Sequence, residues 1–418
     1  LKTAKKEKVA DPVAATIDTA TQVMLQRAQA LGIDTVFDRS VTMKACNIGM
    51  QGICCKNCGM GPCRLPLPKD YDESSDDRKG LCGATPNTIA ARNFIRMIAG
   101  GAAAHSDHGR CVAEVFKSAA YKQTDDYRIK DTNKLLEIAP LLGVATKVTV
   151  DGQELDRDID EIAVEVADVA MAEWGKPEGE VLYLKRAPEA LYEKWKKFGV
   201  LPRNIDREIV EIMHRTHMGV DQDYKNLMKQ GTRAALADGW GGSMLATDLP
   251  DVLFGTPYPL QSEANLGVLK EDHVNLVIHG HEPVLSEMIV AAAQTQEIQD
   301  YAKSKGAKGL QLSGICCTAN EVLQRLGVPL CGTFLQQELA IITGAVDAMV
   351  VDIQCIFQNI ANVAKCFHTK VITTHPIARM EQDNVMHIEF DEHYAMEDAK
   401  KIIKIAIDNF QNRGADVM

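Results

Sequence analysis

The chain of 418 residues is 46% hydrophobic, enough for a substantial core and, by length, for about two to four domains. Its 46 basic against 57 acidic residues leave a net charge of −11, which argues against a nucleic-acid partner and suits a soluble enzyme. The basic start LKTAKKEKVADP has no apolar run behind it and no segment approaches the ~20 apolar residues of a membrane span, while twelve cysteines without a disulfide framework point to a reducing, cytoplasmic and anaerobic setting.

In chain order, Asp11 as N-cap and Pro12 at the first helical position predict one amphipathic helix over residues 11–31, closed by Gly32. The stretch from Ala45 to Gly83 then carries six of the twelve cysteines. Cys55, Cys58, Cys63 and Cys82, at spacings x2, x4 and x18, offer the four thiolates of an iron–sulfur cluster. Cys46 and Cys54 are left over. Neighbouring Cys54 and Cys55 diverge from an extended backbone, so a second site is implied, and a twofold axis completes it by bringing the same pair from another chain. Glycines 49, 52, 59 and 61 let the backbone wrap closely around a cluster. A zinc ribbon usually shows two CxxC pairs where this run shows one, and disulfides fit poorly with six further cysteines scattered through the chain.

Thr85 and Pro86 open a helix whose small residues at 99–104 allow close packing. His105 and His108 lie i, i+3 on it and Cys111 extends the face; such a pair is more often surface or core than catalytic. Residues 110–236 read as successive helices, with only VTVDG and EVLYL extended, and His214 and His217 sit structurally in the last helix. Asp238 begins a glycine-rich turn, GWGG, with no strand leading into it and no GxxxxGK[ST] loop elsewhere, so nucleotide cofactors are unsupported.

After residue 270, VNLVIH, GLQLSG, DAMVVD, KVITT and VMHIEF alternate with helical stretches, the pattern of a doubly wound parallel sheet, with the helix AMEDAKKIIKIAIDNFQNRG over one face. The fold class is therefore α plus α/β: a helical domain over 1–245 carrying the cysteine loop, then a Rossmann-like domain over 246–418. His281 follows the first strand, Cys316 and Cys317 the second, and Cys355 the third, so the carboxyl edge of the sheet collects them although 36 and 38 residues separate His281, Cys317 and Cys355. Thiolate plus imidazole suits iron–sulfur, nickel or zinc; ordinary core cysteines are the competing reading. Cys331 and Cys366 read as core.

The runs CNIGMQGICCKNCGMGPCR, AAAHSDH, ADGWGGSM, NLGVLKEDHVNLVIHGHEPVLSE, LSGICCTANEVLQRLGVPL and DAMVVDIQCI, in this order, resemble the catalytic subunit of anaerobic nickel–iron carbon monoxide dehydrogenase. The resemblance implies a helical domain, two Rossmann-like domains and a homodimer. It implies that Cys46 and Cys54 share a cluster across the dimer axis, that Cys55, Cys58, Cys63 and Cys82 hold an intermediate [4Fe-4S] cluster, and that His281, Cys317 and Cys355 ligate a nickel–iron–sulfur active site. His281 is chosen over His279 on the match alone. His105 corresponds to the histidine that hydrogen-bonds substrate oxygen, His108 to the next step of a proton path, and Asp238 to an acidic residue near the bound hydroxide. The implied reaction interconverts CO plus water with CO2, two protons and two electrons, which pass to a ferredoxin-like carrier; an acetyl-CoA synthase subunit is a further expected partner.

Three departures stand out. Cys111 and Glu114 occupy positions where the family's histidine ladder often continues, and PKDYDESSDD lengthens the loop from Cys63 to Cys82. The resemblance also implies a third domain with further ligands and a catalytic lysine beyond Met418, expected on a longer chain or on a companion polypeptide, unless the form is truncated. A hybrid-cluster, hydroxylamine reductase-like enzyme and a non-catalytic electron-transfer or scaffold piece are the alternative readings.

Overall fold

In a computed structural model the protein is described from residue 10 to residue 418. The chain packs as two units: residues 45–122 with 129–253, and residues 10–44, 123–128 and 254–418. The division expected at residue 245 thus differs in where the first helices go. Met24, Leu25 and Ala28 are buried in one cluster with Leu339, Ile342 and Met349 of the sheet-bearing unit. The helix expected over 11–31 is two, Pro12–Ala15 and Thr19–Leu31, because Asp18 starts a second N-cap, its carboxylate accepting from Thr21 N and Oγ1 at 2.8 and 2.5 Å.

The first unit is built on helix α1, Pro86–Ala120, with α2 (Ile159–Gly175), α3 (Ile205–Arg215) and α4 (Tyr224–Ala237) packed on it. Ala91, Ile95 and Ala99, four residues apart, form the buried stripe of α1 against Ile212 of α3 and Leu227 and Ala234 of α4. Small residues set the spacing: a Cβ on Gly231 would lie 2.7 Å from Ile95 Cγ2, and one on Gly109 would lie 3.0 Å from Trp174 Cζ2 and 3.1 Å from Gly242 O. The small residues at 99–104 do this only in part, since Gly100 and Gly101 are exposed. Lys147–Val150 pairs antiparallel with Gln153–Asp156 as an exposed hairpin, whereas EVLYL is not extended: Leu182–Arg186 is a 3-10 turn held by Leu182 N donating to Glu173 Oε2 at 2.7 Å. His217 falls just past α3 rather than inside it.

The second unit is one six-stranded parallel sheet. Its strands are β1 (Val274–His279), β2 (Leu310–Ile315), β3 (Leu330–Gly332), β4 (Val346–Val351), β5 (Lys370–Thr373) and β6 (Val385–His387), in the spatial order β6-β5-β4-β1-β2-β3. The central strands β1 and β4 are buried at every residue, which explains their mostly apolar sequences, with Asn275, His279 and Asp347 the buried polar exceptions. Strand order reverses between β1 and β4, and that switch point is where open α/β sheets bind ligands. Helices α5 (Pro283–Ala293), α6 (Cys316–Leu326) and α7 (Ala395–Asn409) cover the faces, α7 lying against β1, β4 and β5 as expected. Cys331 is buried in β3, but Cys366 is exposed in the turn after Asn359–Ala364 and is not core. No helix among the described residues is long and apolar enough to cross a membrane.

Candidate metal centres

In the cysteine loop, Cys46 is the N-cap of the short helix Asn47–Met50, its Sγ accepting from Gly49 N at 3.4 Å. Cys54–Cys55 then pairs antiparallel with Cys63–Arg64, so that Cys55 faces Cys63 while Cys54 faces Arg64. This ladder directs the adjacent cysteines apart, Cys55 buried and Cys54 half-buried. Asn93 of α1 fixes the loop, donating from Nδ2 to Gly52 O and Cys54 O at 2.7 and 3.0 Å, and Ile53, Leu65, Ala84 and Ile89 form the apolar floor around Cys55. Leu81 N donates to Cys63 Sγ at 3.5 Å, and Arg92 Nη1 reaches Cys82 Sγ at 3.9 Å. The PKDYDESSDD insert is tethered by Arg78, which forks onto Asp76 at 2.7 and 2.8 Å and donates to Leu65 O at 2.7 Å.

None of the twelve cysteines forms a disulfide. Cys55, Cys58, Cys63 and Cys82 suit an iron–sulfur cluster on three counts. A Cβ on Gly61 would press on Cys55 O at 3.0 Å, so glycine there lets the backbone of the loop close up beside Cys55. Asn57 Nδ2 is buried beside Cys58 with no acceptor, a donor that cluster sulfide would satisfy. Lastly, zinc with four thiolates at about 2.3 Å holds its sulfurs ~3.8 Å apart. The single trio of ligand-type atoms within 4.8 Å of one another among the described residues is Asp391, Glu392 and His393, at the surface. No three of the loop thiols lie within that distance of one another, which a tetrahedral zinc site would require.

At the carboxyl edge of the sheet, His281, Cys316–Cys317 and Cys355 follow β1, β2 and β4, three strands adjacent in space. Asp352, just after β4, organises the loop that follows β1. Its Oδ1 accepts from His281 N at 2.6 Å and from Ile353 N, and its Oδ2 accepts from Glu282 N at 3.0 Å and Thr318 Oγ1 at 3.4 Å. Burial pushes the Asp352 carboxyl up to about 6 against those amides, and burial beside Asp352 pushes Glu282 to about 8. Gly280, at φ +139°, makes the arrangement possible: an added Cβ would sit 1.6 Å from Asp352 Oδ1.

His281 Nδ1 lies 3.0 Å from Ile353 O, and with the proton on Nδ1 the Nε2 lone pair is left for a metal. His279, fully buried, has its Nε2 3.2 Å from Gln337 Oε1, and burial lowers its pKa to about 4. Gln337 Nε2 in turn donates to Cys355 O at 3.0 Å, so His279 braces the cysteine loop instead of entering the site. Cys316, Gln354 and Cys355 all adopt left-handed backbone, φ +68°, +66° and +59°, three of the five such non-glycine residues described. Strain of this kind persists where surrounding structure enforces it and clusters at functional sites. The Cys316 and Cys355 thiols are in hydrogen-bond contact; burial and these neighbours push Cys316 to about 12 and raise Cys317. Crowded thiols of this kind, with an imidazole, lack only the positive charge that a metal cluster brings.

A third constellation lies within the helical unit. Residues 238–242, expected as a turn, are a π-helical stretch continuing α4, a local widening frequent at functional sites. It aims Asp238 Oδ1 at His105 Nδ1, 2.9 Å away, with Ser243 Oγ 3.4 Å from both. Asp238 raises the His105 pKa, with burial opposing. His105 is exposed and His108 buried on the same helix. Sequence reasoning found the ligand types but missed Asp352, Gly280, Gln337 and the pairing of Asp238 with His105. The glycine between two histidines in HGHE was the one available signal.

A profile of the Prismane/CO dehydrogenase family matches residues 53–418. Carbon monoxide dehydrogenase 1 of Methanosarcina acetivorans is 50% identical over 398 residues, 95% of this chain and 61% of its own length. A nickel-free carbon monoxide dehydrogenase crystal structure from Thermococcus sp. AM4 superposes with a TM-score of 0.92 at 48% identity, covering 99% of this chain and 63% of that one. An acetyl-CoA synthase/carbon monoxide dehydrogenase, described for NiZn[Fe4S4] and NiNi[Fe4S4] clusters in its alpha subunits, superposes at 0.87 with 42% identity, covering 98% and 59%. The chain therefore spans about three fifths of the length of the relatives it matches.

Proposed function

The chain belongs to the Prismane/CO dehydrogenase family, and on that premise we propose that it is the cluster-bearing part of a nickel–iron carbon monoxide dehydrogenase, interconverting CO plus water with CO2, two protons and two electrons. What supports this reading is that His281, Cys317 and Cys355 follow three strands adjacent in the sheet, at its switch-point edge, with the loop after the first strand held by Asp352 and shaped by Gly280. In this reading Cys55, Cys58, Cys63 and Cys82 hold a [4Fe-4S] cluster. Cys46 and Cys54 provide half of a cluster shared by a homodimer. Cys46 is exposed, its pKa lowered by the Gly49 and Ile48 amides, and Met50, Met60, Leu81, Phe94 and Met97 of the same unit are exposed as well, apolar surface suited to a second copy.

His281 through Nε2, with Cys317 and Cys355 through sulfur, would hold the nickel–iron–sulfur centre, which when bound supplies the Lewis acidity for carbon and water and the electron sink. The remaining chemistry falls to side chains. With Asp238 fixing the proton on Nδ1, His105 keeps Nε2 for the hydrogen bond to substrate oxygen that the family resemblance implies, and its raised pKa suits it to donate that bond. Steps of i+3 drift about 60° around a helix, so His105, His108, Cys111 and Glu114 pass from an exposed face through a buried position to an exposed carboxylate on the opposite side. A proton handed to His108 thus leaves toward Glu114 rather than along a histidine ladder. The thiolates of the cysteine loop would hold the clusters that supply the electron route, with a ferredoxin-like carrier in the cytoplasm as acceptor. An acetyl-CoA synthase subunit, and the polypeptide segment that completes the site in longer relatives, are the further partners.

The test is CO-dependent reduction of a viologen dye by the anaerobically purified protein, alone and with any companion polypeptide. Activity abolished by Cys355→Ala supports the reading; nickel-containing protein with no such activity in either form contradicts it.

A further inference from the structure

Arg92 is the largest side chain that is fully buried, 1% exposed, in α1 directly below the cysteine loop. Its partners are neutral or sulfur: Nη2 donates to Asp221 O at 2.9 Å and Gln222 Oε1 at 3.3 Å, and Nη1 points at Cys82 Sγ, 3.9 Å away. Its Nε is buried with no acceptor. Of the other partly buried arginines of this unit, Arg203 meets Glu208 and Glu211 and Arg215 meets Glu211 and Asp221, while Arg96 and Arg233, less buried than Arg92, bond to neutral oxygens. Among the described residues no carboxylate pairs with Arg92. A guanidinium stays charged at any accessible pH, and a buried charge without a counter-ion is among the most costly features a fold can carry. What lies against this one is a sulfur of the four-cysteine set, and a cluster held by four thiolates is anionic in every redox state.

We infer that Arg92 is the built-in counter-charge of the cluster held by Cys55, Cys58, Cys63 and Cys82 and holds that cluster's reduction potential up. The inference rests on the cluster reading above. Reduction adds one negative charge a few ångströms from a guanidinium that is itself fully buried, so the reduced form is stabilised more than the oxidised one. Arg92 is a positioning and tuning residue: it touches a ligand, not a substrate.

The experiment is a redox titration, followed by electron paramagnetic resonance, of the anaerobically purified protein and its Arg92→Gln, Arg92→Lys and Cys58→Ser variants. The relevant signal is the one that Cys58→Ser removes. In Arg92→Gln its reduced-to-oxidised ratio at fixed potential should drop about tenfold or more, a shift of ~59 mV or more downward for one electron, while Arg92→Lys stays within about twofold of wild type. An unchanged midpoint in Arg92→Gln, or an equal drop in Arg92→Lys, overturns the inference while leaving the cluster reading intact; a signal untouched by Cys58→Ser overturns both. Melting of the metal-free proteins guards against a folding artefact. Because the charge is unbalanced without the cluster, metal-free Arg92→Gln should unfold no earlier than metal-free wild type, and markedly earlier unfolding makes Arg92 a structural strut and overturns the inference.

Discussion

In the cysteine loop the Gly49 and Ile48 amides pull the Cys46 thiol below its ordinary range, and at Cys82 the Ala84 amide and Arg92 outweigh the opposing effect of burial. At the sheet edge the direction is reversed: burial and neighbouring sulfurs push Cys316 to about 12 and raise Cys317. The first region draws its candidate ligands from close in sequence and favours the thiolate at Cys46 and Cys82, whereas the second assembles them from three strands and favours the thiol at Cys317. The loop can therefore be loaded as a local element, whereas the edge depends on the sheet, on Gly280 and on Asp352.

The sharpest way to break this contrast is Gly280→Ala. With φ +139° and a Cβ 1.6 Å from Asp352 Oδ1, the loop has to move, and a loss of ~3 kcal/mol or more in denaturant unfolding is expected. Nickel should be lost while the iron of the cysteine loop is retained; equal loss of both would erase the distinction between the regions. His105→Ala comes next: both clusters stay, and CO-dependent dye reduction falls by about 100-fold, full activity removing His105 from the mechanism.

Asp238→Asn is gentler, about tenfold in rate. Because Asp238 raises the His105 pKa, their pairing contributes stability that is complete below the ordinary imidazole value of about 6.5 and lost as pH rises through the raised one. The asparagine variant should thus be less stable than wild type at acid pH and equal to it at alkaline pH. The smallest effect belongs to Gln337→Leu, which frees Cys355 O, Phe357 N and His279 Nε2 and should cost about 1–3 kcal/mol in unfolding.

The sequence disclosed the two regions unequally, for the same reason. Close spacing announced the loop ligands, and continuous apolar runs announced β1, β2 and β4, so the placement of His281, Cys317 and Cys355 beyond those strands followed from topology. Asp352 stayed hidden because a buried carboxylate bonded to backbone amides leaves no spacing pattern. Strand β3 is three residues long and too short for periodicity to register. EVLYL looked extended because Tyr183 and Leu184 are both fully buried, yet the Glu173 carboxylate capturing Leu182 N winds it into a 3-10 turn. The pairing of Asp238 with His105, 133 residues away, depends on a π-helical widening that glycines permit but do not announce.

The central claim, that the sheet edge holds nickel in a sulfur-rich cluster while the loop holds iron alone, is tested most directly by nickel and iron analysis of the anaerobically purified protein beside its His281→Ala variant. The account predicts nickel together with abundant iron in the wild type, and a variant that loses the nickel but keeps the loop iron. Nickel retained in full by the variant, or zinc as the sole metal in the wild type, would contradict it.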